Sequence, residues 1–238
     1  MNFGIIAAGE GSRLVQEGVA RPKPLVELCG EPMIGRLINI FTGLGAGRIS
    51  VIVNEQMTEV ADYLRRLAPT LPVTLDIVVK STPSSMHSFY ELGRLLRGQG
   101  RFVLTTVDTI FRPADFKRYV DAFAAAPADI DGMMAVTQYI DDEKPLYVET
   151  GADMRITAFR DEPWPEARYI SGGIYGLDTR AIDVLDRCME QGVHRMRNFQ
   201  RALVADGLRL KAFDMDKIID VDHAGDIRKA EEFLGCRD

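Results

Sequence analysis

The stretch from Phe3 to Leu28, FGIIAAGEGSRLVQEGVARPKPLVEL, constrains this chain more than any other. A short apolar run, Phe3 to Ala8, is cut by a turn carrying Gly9, Gly11, Ser12 and Arg13, and a second basic cluster follows at Arg21 and Lys23. An apolar run that is short and stopped by glycine reads as a buried strand. Glycine has no Cβ, so the backbone beyond that strand can turn sharply and bring its N–H groups close to an anion. Arg13 and Lys23 add the positive charge. The fragment predicts a strand that delivers its end to an anion.

The segments that follow repeat the strand-helix alternation. Ile34, Leu37, Ile38, Phe41 and Leu44 fall on one helical face, which Gly43, Gly45 and Gly47 close, and Ile49 to Val53 is the next β-branched run. Strand, helix and strand at this spacing form a parallel crossover unit. The pattern continues with a helix near Met57 to Leu67, a strand near Val73 to Val79, a helix near Ser85 to Leu96 and a strand from Arg101 to Val107. After a helix near Pro113 to Ala125 it changes to consecutive strands at Gly132 to Tyr139, Leu146 to Thr150, Ile156 to Phe159 and Tyr169 to Leu177. Strands without helices between them suggest antiparallel additions to the sheet. Helices near Thr179 to Met189 and Met196 to Asp206, a strand near Leu208 to Asp214 and an amphipathic helix after Asp222 complete the chain. The expected architecture is a Rossmann-like three-layer α/β/α mixed sheet, mostly parallel with antiparallel additions. We expect one domain over residues 1–238, with a first lobe of about 1–127 and a second of about 128–238.

A formal net charge of -6 argues against a general nucleic-acid or anionic-membrane surface, although it allows a local basic pocket. Cys29, Cys188 and Cys236 are widely spaced and form neither a CxxC pair nor a zinc-ligand cluster, so they read as free thiols in a reducing compartment. The N-terminus has no basic n-region, and no run approaches membrane-spanning length. A cytoplasmic protein is expected.

Two common phosphate-binding motifs do not fit the glycine turn. A dinucleotide fingerprint needs a third glycine where Leu14 stands, and a Walker A loop needs a closing Gly-Lys-Ser/Thr that is absent. The combination AAGEGSRL, then RPKPLVEL, then Gly30 and Pro32 to Ile34, resembles instead the signature of the nucleotidyltransferases. That family includes the nucleoside-diphosphate-sugar pyrophosphorylases and the bacterial choline-phosphate cytidylyltransferases. The resemblance covers nearly the whole chain and implies a glycosyltransferase-A-like nucleotidyltransferase fold. It further implies that Ala7, Ala8, Gly9, Gly11 and Ser12 wrap a nucleoside triphosphate, with Arg13 on its phosphates and Lys23 near the α-phosphate. On that reading the first lobe binds nucleotide and the second binds acceptor.

Later segments extend the likeness. The run Ser81 to Met86 precedes a helix, so Ser84 or Ser85 reads as an N-cap, while the resemblance implies that Thr82, Ser84 and Ser85 line the base. Asp108 ends a strand in TTVDTIF and resembles the metal aspartate of relatives; Asp222 in DVDHAGDI resembles the second, with Asp220 its nearest competitor. Two carboxylates suit Mg²⁺, which prefers oxygen ligands and completes its shell with waters and phosphate oxygens.

On the acceptor side, TAFRDEPWP and YISGGIYGLD resemble the family's acceptor segments, which implies roles for Asp161, Glu162, Ser171 and Gly173. Glu162 stands where many sugar pyrophosphorylases carry a phosphate-binding lysine. Either a cationic acceptor such as phosphocholine is held by Asp161, Glu162, Trp164 and Tyr169, or Lys211, Lys217 or Arg168 binds the acceptor phosphate from another side. Trp164, between Pro163 and Pro165, reads equally as a packed aromatic. The expected reaction is Mg²⁺-dependent transfer of a nucleoside monophosphate from a triphosphate to a phosphorylated small molecule, such as a sugar 1-phosphate, with release of pyrophosphate. A non-catalytic nucleotide-binding module is the rival.

Overall fold

The computed structural model describes residues 1–141 and 143–236. Its first half runs β1 (Asn2–Ala7), α1 (Ser12–Gln16), β2 (Glu27–Leu28), β3 (Glu31–Pro32), α2 (Met33–Gly43), β4 (Arg48–Val53), α3 (Thr58–Leu67), β5 (Thr74–Val79), α4 (Ser85–Leu96) and β6 (Phe102–Thr106). The second half adds β7 (Thr109–Ile110), α5 (Pro113–Ala125), β8 (Gly132–Thr137), β9 (Tyr147–Thr150), β10 (Ile156–Arg160) and β11 (Tyr169–Leu177). It closes with α6 (Thr179–Glu190), α7 (Met196–Ala205), β12 (Leu210–Asp214), β13 (Ile219–Asp220) and α8 (Ala224–Leu234).

Among the described residues, nine strands form one sheet in the order β10-β9-β11-β6-β1-β4-β5, with β8 joining β11 to β12. The helix-linked strands β6, β1, β4 and β5 are parallel, and β11 runs antiparallel to β6, β8 and β9. The mixed, mostly parallel sheet expected from the sequence is therefore present. β12 lies parallel to β8 because α6 and α7 intervene between β11 and β12 and permit a crossover.

Alternation along β1 builds both faces of the sheet. Phe3 and Ile5 join a core with Phe41 of α2, Leu64 of α3, Phe116 of α5 and Ala230 of α8, whereas Ile6 packs with Phe89 of α4, Leu185 of α6 and Phe199 of α7. These two cores are the outer interfaces of a three-layer α/β/α arrangement. Phe3 stacks on Phe41 with ring centroids 4.4 Å apart, and both are fully buried. The pairing sets the register Ala7↔Val53 and Ile6↔Thr106, so the loops after β1, β4 and β6 emerge together at one edge. That edge lies at the carboxyl ends of parallel strands, where open α/β sheets bind ligands.

The cysteine expectation is corrected. Cys188 is free and buried, but Cys29 and Cys236 form a disulfide across 207 residues, with their Cα atoms 5.7 Å apart. Cys29 sits in the β2–β3 turn with φ 56, and its backbone N–H donates to Glu231 of α8 at 3.2 Å. Docking of α8 on that turn brings the two thiols together, a proximity that spacing in the sequence does not encode. No helix among the described residues is long and apolar enough to cross a membrane.

Candidate active site

Beyond β1 the chain makes the predicted glycine turn. Gly11 has φ 62, and a Cβ there would stand 2.9 Å from the Cβ of Lys23. The position therefore needs glycine twice, for its left-handed backbone and for the close passage of the lysine stem. Lys23 opens a 3₁₀ turn directly after Pro22, and only 9% of the residue is exposed.

The Lys23 ammonium lies 2.5 Å from Asp108 Oδ2 and 2.6 Å from Asp222 Oδ1. The other oxygen of Asp222, Oδ2, accepts from Arg13 at 3.1 Å, and Arg13 also faces Glu143 at 3.5 Å. Burial opposes the charge on Lys23, but the two carboxylates outweigh it and push its pKa up to about 12. Burial likewise works against the Asp108 carboxylate, yet the charge and hydrogen bond of Lys23, helped by Thr106, hold its pKa below the usual range.

A two-stranded ladder brings the distant carboxylates together. β7 follows Asp108 and β13 precedes Asp222; they pair antiparallel, Ile110↔Ile219 and Thr109↔Asp220, and the Val221 N–H donates to Asp108 O at 3.1 Å. Asp226 accepts from the backbone N–H groups of Asp222 and His223 at 3.2 and 2.8 Å, which anchors the segment at the start of α8. Asp220 lies exposed on β13 itself, two residues before Asp222.

These groups line a cavity of about 480 Å³ together with Gly9, Gly11, Ser12, Thr82, Ser84 and Ser85. Ala8 borders it, whereas Ala7 belongs to the core beneath. Thr82 shares a 2.6 Å hydrogen bond with Ser88. Ser84 is the N-cap of α4, but its hydroxyl bonds His87 Nδ1 at 2.8 Å in place of a backbone N–H. Asn54, which the sequence reading did not single out, donates to Ala8 O at 3.2 Å and accepts from Ser81 at 2.8 Å. It ties the glycine turn to the Ser81–Ser85 loop, and its place immediately after β4 was the available signal.

A second chamber of about 430 Å³ adjoins the first and shares Ser84, Ser85, Asp108 and Asp222 with it. Ser171 and Gly173 line it. Ser171 Oγ donates to Gln200 at 3.0 Å; Gly173 has φ 71, and a Cβ there would meet Thr109 Oγ1 at 2.6 Å. The structure does not bring Asp161 and Glu162 into this lining. Asp161 instead takes ion pairs from Arg197 and Arg201 at 2.5 and 2.7 Å. Trp164 packs edge-on to Tyr147 beneath Arg160. Lys217 lies over Tyr139, Arg168 donates to Gln138, and Lys211 sits on β12, so none of these three lines the chamber. Lys144 and Arg195 do line it, and no sequence motif marks them.

A parallel-sheet edge that gathers a glycine turn, two cations and two carboxylates defines a nucleotide-handling α/β protein. The chain belongs to the nucleotidyl transferase family, whose model matches residues 4–235. It is 28% identical over 160 residues to the CMP-5'-(3-aminopropyl)phosphonate synthase of Streptomyces rubellomurinus, covering 59% of this chain and 24% of that protein. It is 24% identical over 249 residues to the bifunctional protein GlmU of Thermobifida fusca, covering 98% of this chain and 50% of that one. The chain thus spans half or less of the length of these two relatives. The inositol-1-phosphate CTP transferase of T. maritima shares the fold with a TM-score of 0.81 at 17% identity, over 99% of this chain and 95% of that one.

Proposed function

We propose that this protein transfers a nucleoside monophosphate from a nucleoside triphosphate to a small acceptor bearing a phosphoryl group, releasing pyrophosphate. The observation that carries this reading is the convergence of Lys23, Asp108 and Asp222 within a cavity floored by the glycine turn. An acceptor oxygen attacks the α-phosphorus; the new P–O bond forms as the bond to pyrophosphate breaks. A phosphate monoester has its second pKa at about 6, so the nucleophile is ionised near neutrality and needs no general base. Arg13 and Lys23 hold the triphosphate in line and stabilise charge as it develops. Ser171 and Gly173 border the acceptor, Thr82, Ser84 and Ser85 border the base, and Asp161 acts through Arg197 and Arg201.

Mg²⁺ belongs to the same proposal. One oxygen each of Asp108 and Asp222 already converges on a single cation, the Lys23 ammonium, so this oxygen pair suits a hard divalent ion. Asp108 and Asp222 would hold it, and it would supply neutralisation of phosphate charge. A cytoplasmic setting, where triphosphates are abundant, completes the reading.

A narrower version is cytidylyl transfer to an acceptor that also carries a cationic group. It is favoured by the name of the Streptomyces relative.

The test is a pyrophosphate-release screen of four triphosphates against sugar 1-phosphates, inositol 1-phosphate, phosphocholine and aminoalkylphosphonates. We expect release with one pairing, abolished by excess chelator and restored by Mg²⁺. Tight triphosphate binding with no release from any pairing would make the protein a binding module instead.

A further inference from the structure

A separate cavity of about 550 Å³ lies where α5 ends and where β8 and β12 begin. β8 and β12 run parallel, and the chain reaches Asp222 only after leaving the carboxyl end of β12, so this cavity is at the far end of both strands. It shares no lining residue with either catalytic chamber. Ala122, Ala126, Ile130 and Met133 give it an apolar wall. A concavity of this volume, walled mainly by apolar groups with a few polar ones, suits a small molecule.

The opposite wall sets two cations against each other. Arg155 and Lys211 are partners in an isolated antiparallel β-bridge, an arrangement in which like charges repel. Among the described residues neither side chain pairs with a carboxylate. The bridge is held by the Ala212 N–H, which donates to Met154 O at 2.8 Å, and Met154 has φ 63, a left-handed conformation that costs energy outside glycine. Nearby negative charge is already committed. Asp129 pairs with Arg209 at 2.8 Å, and Asp153 accepts from the Arg155 backbone N–H at 3.2 Å. The carbonyls of Phe123 and Ala126, at the end of α5, accept from Arg101 at 2.9 and 2.7 Å. Repulsion and strain are thus both retained beside an apolar wall. We propose that this cavity binds a small organic anion, its apolar body against the end of α5 and its phosphate or carboxylate between Arg155 and Lys211. The bound anion removes the repulsion; Arg155 offers it a planar fork of donors and Lys211 a point charge. The assignment does not depend on the transferase reading.

The test titrates the full chain by calorimetry with 1-naphthyl phosphate and 1-naphthoate, and with neutral 1-naphthol for comparison. At least one of the two anions should bind saturably at one site, and 1-naphthol about tenfold more weakly or less. Arg155→Ala and Lys211→Ala should each weaken anion binding by about tenfold, the usual effect of losing a charge-assisted hydrogen bond. Ile130→Ser, which trims the apolar wall, should weaken it by about threefold or more. Lys211→Glu turns the like-charged bridge into an opposite pair. It should abolish binding yet melt at the wild-type temperature or above, which separates lost binding from lost folding. Lys23→Ala should bind within about twofold of wild type. No saturable binding of either anion, or wild-type affinity in Lys211→Glu, would overturn the assignment. So would binding that Lys23→Ala removes and Lys211→Glu retains, because the probe would then sit on the catalytic cations.

Discussion

Lys23 Nζ lies 2.6 Å from Asp222 Oδ1 across 199 residues of chain, and 2.5 Å from Asp108 Oδ2. One ammonium therefore holds together the glycine-turn segment, the end of β6 and the segment leading into α8. It neutralises two carboxylates that would otherwise face each other.

Replacing Lys23 with Ala should lower pyrophosphate release by about 10²–10³-fold, the range seen on removal of one stabilising donor at a reacting centre. The same variant should melt earlier than wild type in chelator, because Asp108 and Asp222 lose their shared counter-charge. Mg²⁺ should restore part of that loss. Melting curves with chelator and with Mg²⁺ check this; equal metal responses in variant and wild type would show that the carboxylates are not a cation site.

Gly11 positions the lysine. Gly11→Ala puts a Cβ 2.9 Å from Lys23 Cβ and onto a backbone with φ 62, so it should cost about 1–2 kcal/mol of stability. Because the clash moves Lys23, turnover should fall further than in Gly9→Ala, where nothing stands within 4 Å of the added methyl. Comparable activities in the two variants would remove the positioning role.

The Cys29–Cys236 bond closes a loop of 207 residues. Reduction, or Cys236→Ser, should lower unfolding free energy by about 2–4 kcal/mol, read from urea denaturation with and without dithiothreitol. Thiol titration of the unreduced, denatured chain should find one reactive group, Cys188. Three would show that the staple does not form.

His87 stacks on His194 at 5.6 Å and has its pKa lowered, by burial first and by the charge of His194 second. His194→Gln should therefore raise the His87 pKa, measured by NMR titration of the imidazole. The folded state disfavours protonated His87, so its destabilising effect is absent well above the ordinary value of 6.5 and appears as pH falls through and below it. Unchanged titration of His87 in the variant would contradict the pairing.

Some of this was legible without coordinates. Glycine's backbone freedom, the abrupt end of an apolar run and the helical spacing of Ile34, Leu37, Ile38 and Phe41 are local properties, and they placed β1, the turn and α2. The same locality marked Arg13 and Lys23 beside the turn, and Asp108 at the end of β6. It did not show which way Asp161 faces, because a carboxylate next to an acceptor-like segment carries no sign of its direction; only the docking of α7 on β10 turns it toward Arg197 and Arg201.

By itself, then, the sequence determined the alternating α/β order, the glycine turn and the kinds of charge that surround it. The tertiary structure decided which charges meet. Pairing of β7 with β13 sets Asp222 against Lys23, docking of α8 sets Cys236 against Cys29, and the hydrogen bond from Arg197 to the Lys144 carbonyl sets that segment beside α7. The physical reason is range. Helical and strand periodicities act over a few residues, whereas these contacts span up to 207 and depend on sheet register and helix docking, which the whole core selects at once.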